Sequence, residues 1–345
     1  MIKSVPSARL NALSLSLCAP VSVTAELTRR CPLSCLHCYL PETRGRSARQ
    51  RELSTAGWKR ILSGLAAAGG LYLVFTGGEP LLRPDLAELC RHAKKLRFDV
   101  RVFSTGHGLT PTLAAELKAA GISAFEISFY GGPAVHDRVT GARGSFARSL
   151  AAARLLKKKG VAVKMKTPLM TMNSGHAGWL VGLASREGFS ISFDLSIAPG
   201  NDGDRAVLRY RLSGAPLRRA VMRVYGGAKR PEKASEEAYP KGFICGAGRN
   251  VCAVGPSGEL YPCLQLPVKL GDLTKRPFTA LWNGSAWLER WRRLSVKDLK
   301  GCAGCEAAGY CGLCPGLNLL ETGDPLEPSP QTCEVASALR AAVNR

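Results

Sequence analysis

Apolar residues recur along the first 200 positions in short β-rich runs, and amphipathic helical stretches separate one run from the next. Six runs have the length and the β-branched or aromatic content of buried strands. They are VSVTAEL from 21, LYLVFT from 71, VRVFS from 100, SAFEISF from 123, VAVKMKT from 161 and SISFDLS from 190. Strand and helix in alternation predict a parallel sheet in an α/β fold. Six units are two short of a closed barrel, so we expect a partial, TIM-like (β/α)6 barrel that is open on one side.

The helical stretches carry boundary signals of their own. SFARSLAAARLLKKKG begins at Ser145, which we predict to be the N-cap, and ends at Gly160, which we predict to be the C′ residue. DLAELCRHAKKL places Cys90 on an apolar helix face, so we expect Cys90 to be a buried core residue. In a barrel of this kind, the loops at the carboxyl ends of the strands carry the chemistry.

The strand-helix pattern lapses after about residue 200. The segment 200–242 is charged and contains glycine, which predicts a connecting region. From Cys245 to Cys333 the chain is rich in Gly, Pro and Cys and shows little periodicity, so we expect metal and not an ordinary core to organise it. The predicted division is an N-terminal extension at 1–20, the barrel at 21–235 and a small cysteine-rich domain at 240–345.

The composition indicates the cellular compartment of the protein and excludes some classes of partner. No run approaches the roughly 18 apolar residues of a membrane span, and serines and Asn11 interrupt the apolar start, which predicts a cytoplasmic protein without a membrane partner. Cytoplasmic thiols stay reduced, so the 13 cysteines point to metal before disulfides. The formal charge is +22, but Lys and Arg are scattered and only LLKKKG at 155–160 is dense, so we expect no nucleic-acid partner.

Three cysteines follow the first strand candidate in RRCPLSCLHCY, namely Cys31, Cys35 and Cys38. Three thiolates on a four-iron cubane leave one iron open to a small molecule, which suits catalysis. A structural zinc site or a redox pair is the alternative, but zinc needs a fourth ligand, and His37 would make a cramped set.

The C-x3-C-x2-C triplet, the strand before it and TGGEP at 76–80 together resemble the radical S-adenosylmethionine (SAM) superfamily. We expect Gly77 and Gly78 to let the backbone approach a ligand closely, and Glu79 to offer a carboxylate to an ammonium group. The resemblance assigns that ammonium to the methionine part of SAM. A plain turn is the alternative for Gly-Gly-Glu-Pro standing alone.

Further SAM contacts rest on the same resemblance. Glu126 and Ser128 share one face of the fourth strand candidate, and Ser128 would approach SAM. Relatives place an arginine downstream to meet SAM's carboxylate, and the corresponding residue here is Thr140, with Arg138 and Arg143 nearby. Relatives also show Thr-Asn-Gly where this chain has Ser104-Thr105-Gly106, a change expected to affect a supporting hydrogen bond. The expected SAM-binding residues are Tyr39, Gly77, Gly78, Glu79, Pro80, Glu126, Ser128 and Arg138.

Eight more cysteines lie in the C-terminal part and are enough for two four-ligand sites. Their order resembles the SPASM domain of peptide-modifying radical SAM enzymes, which implies one cluster on Cys245, Cys252, Cys263 and Cys314, and another on Cys302, Cys305, Cys311 and Cys333. Only two residues separate Cys311 from Cys314, where the usual pattern has three. Two zinc sites are the alternative. We therefore expect three 4Fe-4S clusters, one binding SAM and two auxiliary.

The resemblance implies reductive cleavage of SAM to a 5′-deoxyadenosyl radical and net oxidation of a substrate. Relatives of the SPASM type crosslink, oxidise or decarboxylate ribosomally made peptides, and we expect the same here. Leu264 and Gln265 stand where sulfatase-maturating relatives have an Asp, and no catalytic base is evident. The alternatives are haem or other cofactor biosynthesis, such as decarboxylation of a porphyrin side chain, and a noncatalytic electron carrier.

Partners follow from the same interpretation. About twenty residues precede the first strand, fewer than the peptide-recognition domain of some relatives, so we expect a separate small recognition protein beside the precursor peptide. A flavodoxin or ferredoxin-type protein would donate electrons. Cys18 receives no assignment, and His107, His136 and His176 are interpreted as ordinary loop or helix residues.

Overall fold

The computed structural model describes residues 8–40, 52–226 and 242–343 and gives an α/β fold. The six predicted strands all form, each within two residues of the predicted start. Their bounds are β1 Ser22–Thr28, β2 Tyr72–Gly77, β3 Asp99–Ser104, β4 Ala124–Ser128, β5 Ala162–Pro168 and β6 Ser190–Asp194. The sheet order β6-β5-β4-β3-β2-β1 follows the chain without reversal, and every one of these pairs is parallel. This is the predicted partial (β/α)6 barrel.

Helices connect consecutive strands, and because the strand order never reverses, they lie on one face of the sheet. The helices are α1 Ala8–Leu17, α2 Thr55–Ala67, α3 Leu86–Lys95, α4 Pro111–Ala119, α5 Pro133–Thr140, α6 Ser145–Lys158, α7 Ala177–Glu187, α8 Gly214–Tyr225, α9 Phe278–Asn283, α10 Ala286–Arg293, α11 Pro315–Thr322 and α12 Pro330–Val343. No helix in the described ranges is long and apolar enough to cross a membrane.

Helix α6 shows one predicted boundary and corrects the other. Gly160 follows the helix with φ +72°, as expected of a C′ glycine. The N-cap is Gly144 at φ +75° and not Ser145, which is the first helical residue. The Ser145 hydroxyl instead donates to Asp137 at 2.9 Å, so Ser145 ties α6 to the preceding helix.

Alternation along the strands gives the sheet one apolar face and one polar face. Leu73 and Phe75 of β2 and Phe125 and Ile127 of β4 are fully buried among the helices. Most of the intervening positions carry polar or charged side chains and face the inside of the barrel, among them Thr24, Glu26, Arg101, Glu126, Ser128, Lys164 and Lys166. The barrel interior therefore offers charge to a ligand, and the helix side supplies the core.

The cysteine-rich part departs from expectation because its first half is well packed. β7 (Val251–Val254) pairs in parallel with β1, and β8 (Glu259–Tyr261) and β9 (Gly271–Asp272) continue the sheet antiparallel. Trp282 and Trp291 are buried in the same core as the barrel helices. An ordinary core thus organises this half, since the sheet of the barrel extends into it.

The predicted domain borders at 235 and 240 lie outside the described residues, as do 1–7 of the N-terminal extension. Within the predicted connection, 200–226 includes α8, whose Leu217 and Val221 pack with Ala338 and Ala342 of α12. In the extension, α1 meets the cysteine-rich part, because the Asn250 amide donates to Ser14 Oγ at 3.0 Å. Both ends of the described chain are tied to other elements.

Candidate active site

The loop bearing Cys31, Cys35 and Cys38 follows the carboxyl end of β1 and is held by its backbone. The Ser34 amide donates to the Thr140 carbonyl at 3.0 Å and the Leu36 amide to the Val139 carbonyl at 2.9 Å, both at the end of α5. Burial, together with the charges of Glu79 and Cys38, raises the pKa of the Cys31 thiol to about 11. Backbone hydrogen bonds thus tie the loop to the end of α5.

Gly77 and Gly78 make room for protein backbone, and their approach to a ligand stays a prediction. A Cβ on Gly77 would strike the Thr28 carbonyl oxygen, and one on Gly78 would strike the carbonyl oxygens of Arg29 and Arg30. The Gly78 amide donates to the Thr28 carbonyl at 2.8 Å. The two glycines therefore let the end of β2 lie directly against the start of the cysteine loop.

Replacing Gly78 with Ala should damage the cysteine loop. Overpacking against backbone that cannot rotate away costs about 1–3 kcal/mol, and a displaced cluster should lower the rate of SAM cleavage about a hundredfold. The measurements are bound iron and 5′-deoxyadenosine formation with dithionite and SAM. Gly175→Ala is the matched control, because a Cβ at Gly175 meets nothing within 4 Å. Equal iron and rate in both variants would contradict the packing role of Gly78.

The Glu79 carboxylate is fully buried and receives four hydrogen bonds from the protein. Oε1 accepts from Ser104 Oγ at 2.7 Å and from the Leu81 amide at 3.0 Å. Oε2 accepts from the Thr105 amide at 2.8 Å and from its hydroxyl at 2.5 Å. Burial nevertheless raises the pKa of Glu79. Glu79 links the end of β2 to the end of β3. The supporting hydrogen bond expected at Ser104 is the one that its hydroxyl donates to this carboxylate.

Ser128 ends β4 and is connected to the cysteine loop through a residue that the sequence did not suggest. Tyr130 is buried, and its hydroxyl forms hydrogen bonds with the side chains of Ser128 and Cys35, while burial raises its pKa well above its usual range. The His37 ring packs edge-on against Tyr130 with ring centroids 4.9 Å apart. The only signal was the position of Tyr130 in the loop just after the strand.

The other residues expected to bind SAM differ in their burial and their contacts. The Tyr39 hydroxyl donates to Glu26 Oε1 at 2.9 Å, and burial, with this carboxylate, raises the Tyr39 pKa. Pro80 is buried just after Glu79, whereas Arg138 is exposed on α5. Thr140, at the position where relatives have an arginine, is fully buried, and its hydroxyl lies 2.6 Å from Ser145 Oγ.

His136 is buried on α5, and its Nδ1 accepts a hydrogen bond from the Tyr130 amide at 3.3 Å. Burial lowers the pKa of His136 to about 4. The pKa of the unfolded histidine is about 6.5, so the unfolded chain takes up a proton first as the pH falls. The contribution of His136 to the free energy of unfolding is complete above about pH 6.5 and is lost as the pH falls from about 6.5 to 4.

Lowering the pH from 7.5 to 5.5 should cost about 1 kcal/mol of unfolding free energy through His136. His136→Gln should remove this share of the pH dependence, because its amide oxygen can still accept from the Tyr130 amide. Urea unfolding of the cluster-loaded protein at both pH values measures the effect. His92→Gln, a partly exposed histidine on α3, is the control. An unchanged pH dependence in His136→Gln would contradict the assignment.

The eight C-terminal cysteines fall into two neighbourhoods. Cys263 acts electrostatically on Cys245 and Cys252, and Cys314 acts on Cys245 and Cys263. Burial raises the pKa of Cys245 to about 12. In the second neighbourhood, Cys311 interacts with the other three thiols, and burial raises its pKa to about 11. Its members are Cys302, Cys305, Cys311 and Cys333. Cys90 is fully buried in the core, as predicted, and stands apart from both.

The donors in these groups are cysteine thiols. Within the described ranges, no three His, Cys, Asp or Glu side chains lie close enough together to hold one metal ion. Zinc draws four ligands to about 2.0–2.3 Å, whereas a cubane distributes its thiolates over different irons. Cysteine thiolates are the usual ligands of iron-sulfur clusters, so the cysteine groups of this chain have donors that fit such clusters.

A cavity of about 230 Å³ opens where the barrel meets the cysteine-rich part. Glu26 and Arg29 line it from β1 and the cysteine loop, Asn201 from the turn beyond β6, and Tyr261 and Leu264 from the region around Cys263. The cavity thus borders both the loop that carries Cys31 and the residue next to Cys263.

A partial barrel with three thiols at the end of its first strand, joined to a part with eight cysteines, defines an iron-sulfur enzyme. The model of the Radical SAM superfamily matches residues 25–176, and that of the SPASM iron-sulfur cluster-binding domain matches residues 245–306. The chain belongs to the radical SAM superfamily and carries a SPASM domain.

Two curated relatives and one solved structure extend this comparison. The chain is 28% identical to an AdoMet-dependent heme synthase of Methanosarcina barkeri, over 90% of this chain and 96% of the relative. It is 27% identical to a PqqA peptide cyclase of Xanthomonas axonopodis pv. citri, over 94% of this chain and 91% of the relative. The anSMEcpe structure with bound AdoMet shares the fold, with a TM-score of 0.73 at 16% identity over 94% of this chain and 93% of that one.

Proposed function

We propose that this chain is a radical SAM oxidoreductase that oxidatively modifies a ribosomally made peptide by crosslinking, oxidation or decarboxylation. The observation that carries the proposal is that one molecule combines a three-cysteine loop with two four-cysteine neighbourhoods. Two fully ligated clusters suit electron transfer away from a substrate, because no iron is left open to bind it. The similarity to a PqqA peptide cyclase over nearly the whole of both chains supports a peptide as the substrate.

The proposed cofactors are SAM and three 4Fe-4S clusters. Cys31, Cys35 and Cys38 would hold the SAM-binding cluster, and the two C-terminal neighbourhoods would hold the auxiliary ones. When bound and reduced, the first cluster supplies the electron that cleaves SAM to a 5′-deoxyadenosyl radical, which takes a hydrogen atom from the substrate. The proposed SAM contacts are Tyr39, Gly77, Gly78, Glu79, Pro80, Glu126, Ser128 and Arg138.

The protein's own contribution would be to position these groups and to exclude water. Glu79, with all four of its hydrogen bonds internal, would fix the ends of β2 and β3, so that an ammonium group beside it meets a rigid surface. Tyr130 would fix Cys35 relative to Ser128 on β4. Buried partners of this kind keep the cysteine loop in one geometry during turnover.

The cavity between the barrel and the SPASM domain, of about 230 Å³, has room for one side chain of a peptide. Glu26, Arg29 and Asp202 give it charges of both signs. A single polar or charged side chain would fit there, presented by a peptide that continues outside.

Haem or other cofactor biosynthesis is the second candidate function. The similarity to an AdoMet-dependent heme synthase covers 90% of this chain and 96% of the relative, and supports a porphyrin side chain as the alternative substrate. The basic surface would suit the carboxylates of a porphyrin as well as an acidic leader peptide. Only the substrate itself separates the two candidates.

The proposal also includes the surroundings of the enzyme. A separate small recognition protein would present the peptide, and a flavodoxin or ferredoxin-type protein would donate electrons. The cytoplasm would be the compartment, because low-potential clusters and free thiols need a reducing environment.

The test is the intact mass of short peptides encoded beside the gene, each co-expressed with the enzyme. Loss of two hydrogen atoms from one peptide, absent with Cys35→Ala, would establish peptide oxidation and most simply a crosslink. Unchanged masses together with active SAM cleavage would overturn the peptide proposal in favour of a porphyrin or another cofactor precursor.

A further inference from the structure

Two cations share one carboxylate on the inner wall of the barrel. Arg101 on β3 places Nη1 3.3 Å from Glu126 Oε1, and Lys166 on β5 places Nζ 3.7 Å from Glu126 Oε2. The Glu126 side chain is only 3% exposed. Asp99 Oδ2 on β3 lies 3.9 Å from Arg101 Nε, so two carboxylates and two cations meet on three adjacent strands, and Glu126 is the carboxylate that both cations contact.

Both cations retain capacity for a further anion. Among the described residues, Arg101 Nη2 is buried and has no hydrogen-bond partner. The Lys166 ammonium lies over the Phe103 ring, 4.6 Å from its centroid, and its side chain is 42% exposed. Positive charge held in a partly desolvated wall favours an added carboxylate more strongly than the same charge in open water.

The wall lies beside the cysteine loop. Lys166 pairs in register with Ser128 across β4 and β5. Ser128 in turn contacts Tyr130, which contacts Cys35. An anion bound at Lys166 would thus lie one strand away from Ser128, which is connected to Cys35 through Tyr130.

The residue at the end of α5 that holds the cysteine loop, Thr140, offers no cation to a ligand. Thr140 has no charge, its hydroxyl donates to the carbonyls of His136 and Asp137, and the residue is fully buried. Arg138 is exposed on the same helix. The carboxylate of a SAM molecule therefore needs a cation from another element.

We propose that Lys166, supported by Arg101, receives the carboxylate of the methionine part of SAM. Arg101 would act as a positioning residue, because it neutralises Glu126 and leaves the Lys166 ammonium available to the incoming carboxylate. This inference rests on the proposed function only in taking SAM as the cofactor.

The test compares SAM with decarboxylated SAM, which lacks only this carboxylate. Binding is measured by equilibrium dialysis on cluster-loaded, unreduced protein without any peptide. Lys166→Met should raise the Kd for SAM about 10- to 100-fold and should change the Kd for decarboxylated SAM much less. Lys166→Arg should restore most of the affinity for SAM.

Lys164→Met is the matched control. Lys164 lies on the same strand and the same face, so its replacement removes the same charge two residues away. It should leave the Kd for SAM unchanged. An unchanged Kd for SAM in Lys166→Met would overturn the proposal, and so would an equal loss of affinity for both ligands. Because no peptide is present, failure of the peptide proposal would not affect this result.

Discussion

Replacing Cys35 with Ala should abolish 5′-deoxyadenosine formation. Cys35 is one of only three thiols in the loop after β1, and its side chain also contacts the buried Tyr130 hydroxyl. Removing it leaves two thiolates, too few to hold a cubane with an open iron. Bound iron should fall by the content of one cluster, and SAM cleavage with dithionite should drop to background.

Cys90→Ala provides the control for this variant. Cys90 is fully buried on α3 and belongs to the apolar core, so its loss should leave iron content and cleavage near those of the unchanged protein. Iron assay, the electron paramagnetic resonance signal of the reduced protein and chromatography of 5′-deoxyadenosine provide the measurements. Cleavage by Cys35→Ala at the unmodified rate would contradict the assignment of the loop.

Cys305→Ala should separate SAM cleavage from product formation. Cys305 lies in the second cysteine neighbourhood, where its charge acts on Cys302, Cys311 and Cys333. The loss of one thiolate should remove one auxiliary cluster and abolish net oxidation of the substrate, because the electron from the substrate then has no acceptor. The SAM-binding cluster should survive, so uncoupled SAM cleavage should continue.

Cys18→Ala is the matched control, because Cys18 is a partly exposed thiol outside both C-terminal neighbourhoods. It should keep the full iron content and the full yield of product. Iron content, SAM cleavage and product mass are measured on the same preparations. Full product formation by Cys305→Ala would count against an essential electron role for that cluster. Loss of SAM cleavage as well would indicate that the two cysteine regions fold or load as one unit.

The six barrel strands were predictable because each carries its own local pattern, from VSVTAEL to SISFDLS. β7 was not, because Val251–Val254 is only four residues long in a Gly- and Cys-rich context. Its pairing with β1 joins residues more than 220 positions apart, and no local pattern reports such a contact. The same pairing explains why the cysteine-rich half has an ordinary core.

The candidate site was predictable as a set of positions and less so as a set of contacts. The spacing of Cys31, Cys35 and Cys38 and the Gly-Gly-Glu motif were visible in the sequence. That Gly77 and Gly78 accommodate backbone, and that Tyr130 contacts Cys35, depends on how strand ends align in three dimensions. The grouping of the eight C-terminal cysteines came only from family resemblance, since spacing alone allows many groupings.

The shared sheet also limits how this molecule can be divided. β1 is an interior strand because β2 pairs with one side of it and β7 with the other. A shortened protein that ended before residue 242 would expose the whole β7-facing side of β1, a row of unpaired amide and carbonyl groups on an apolar strand. We expect the exposed edge strand of such a fragment to pair with other chains and cause aggregation. The barrel therefore needs the cysteine-rich part to be expressed as a stable protein.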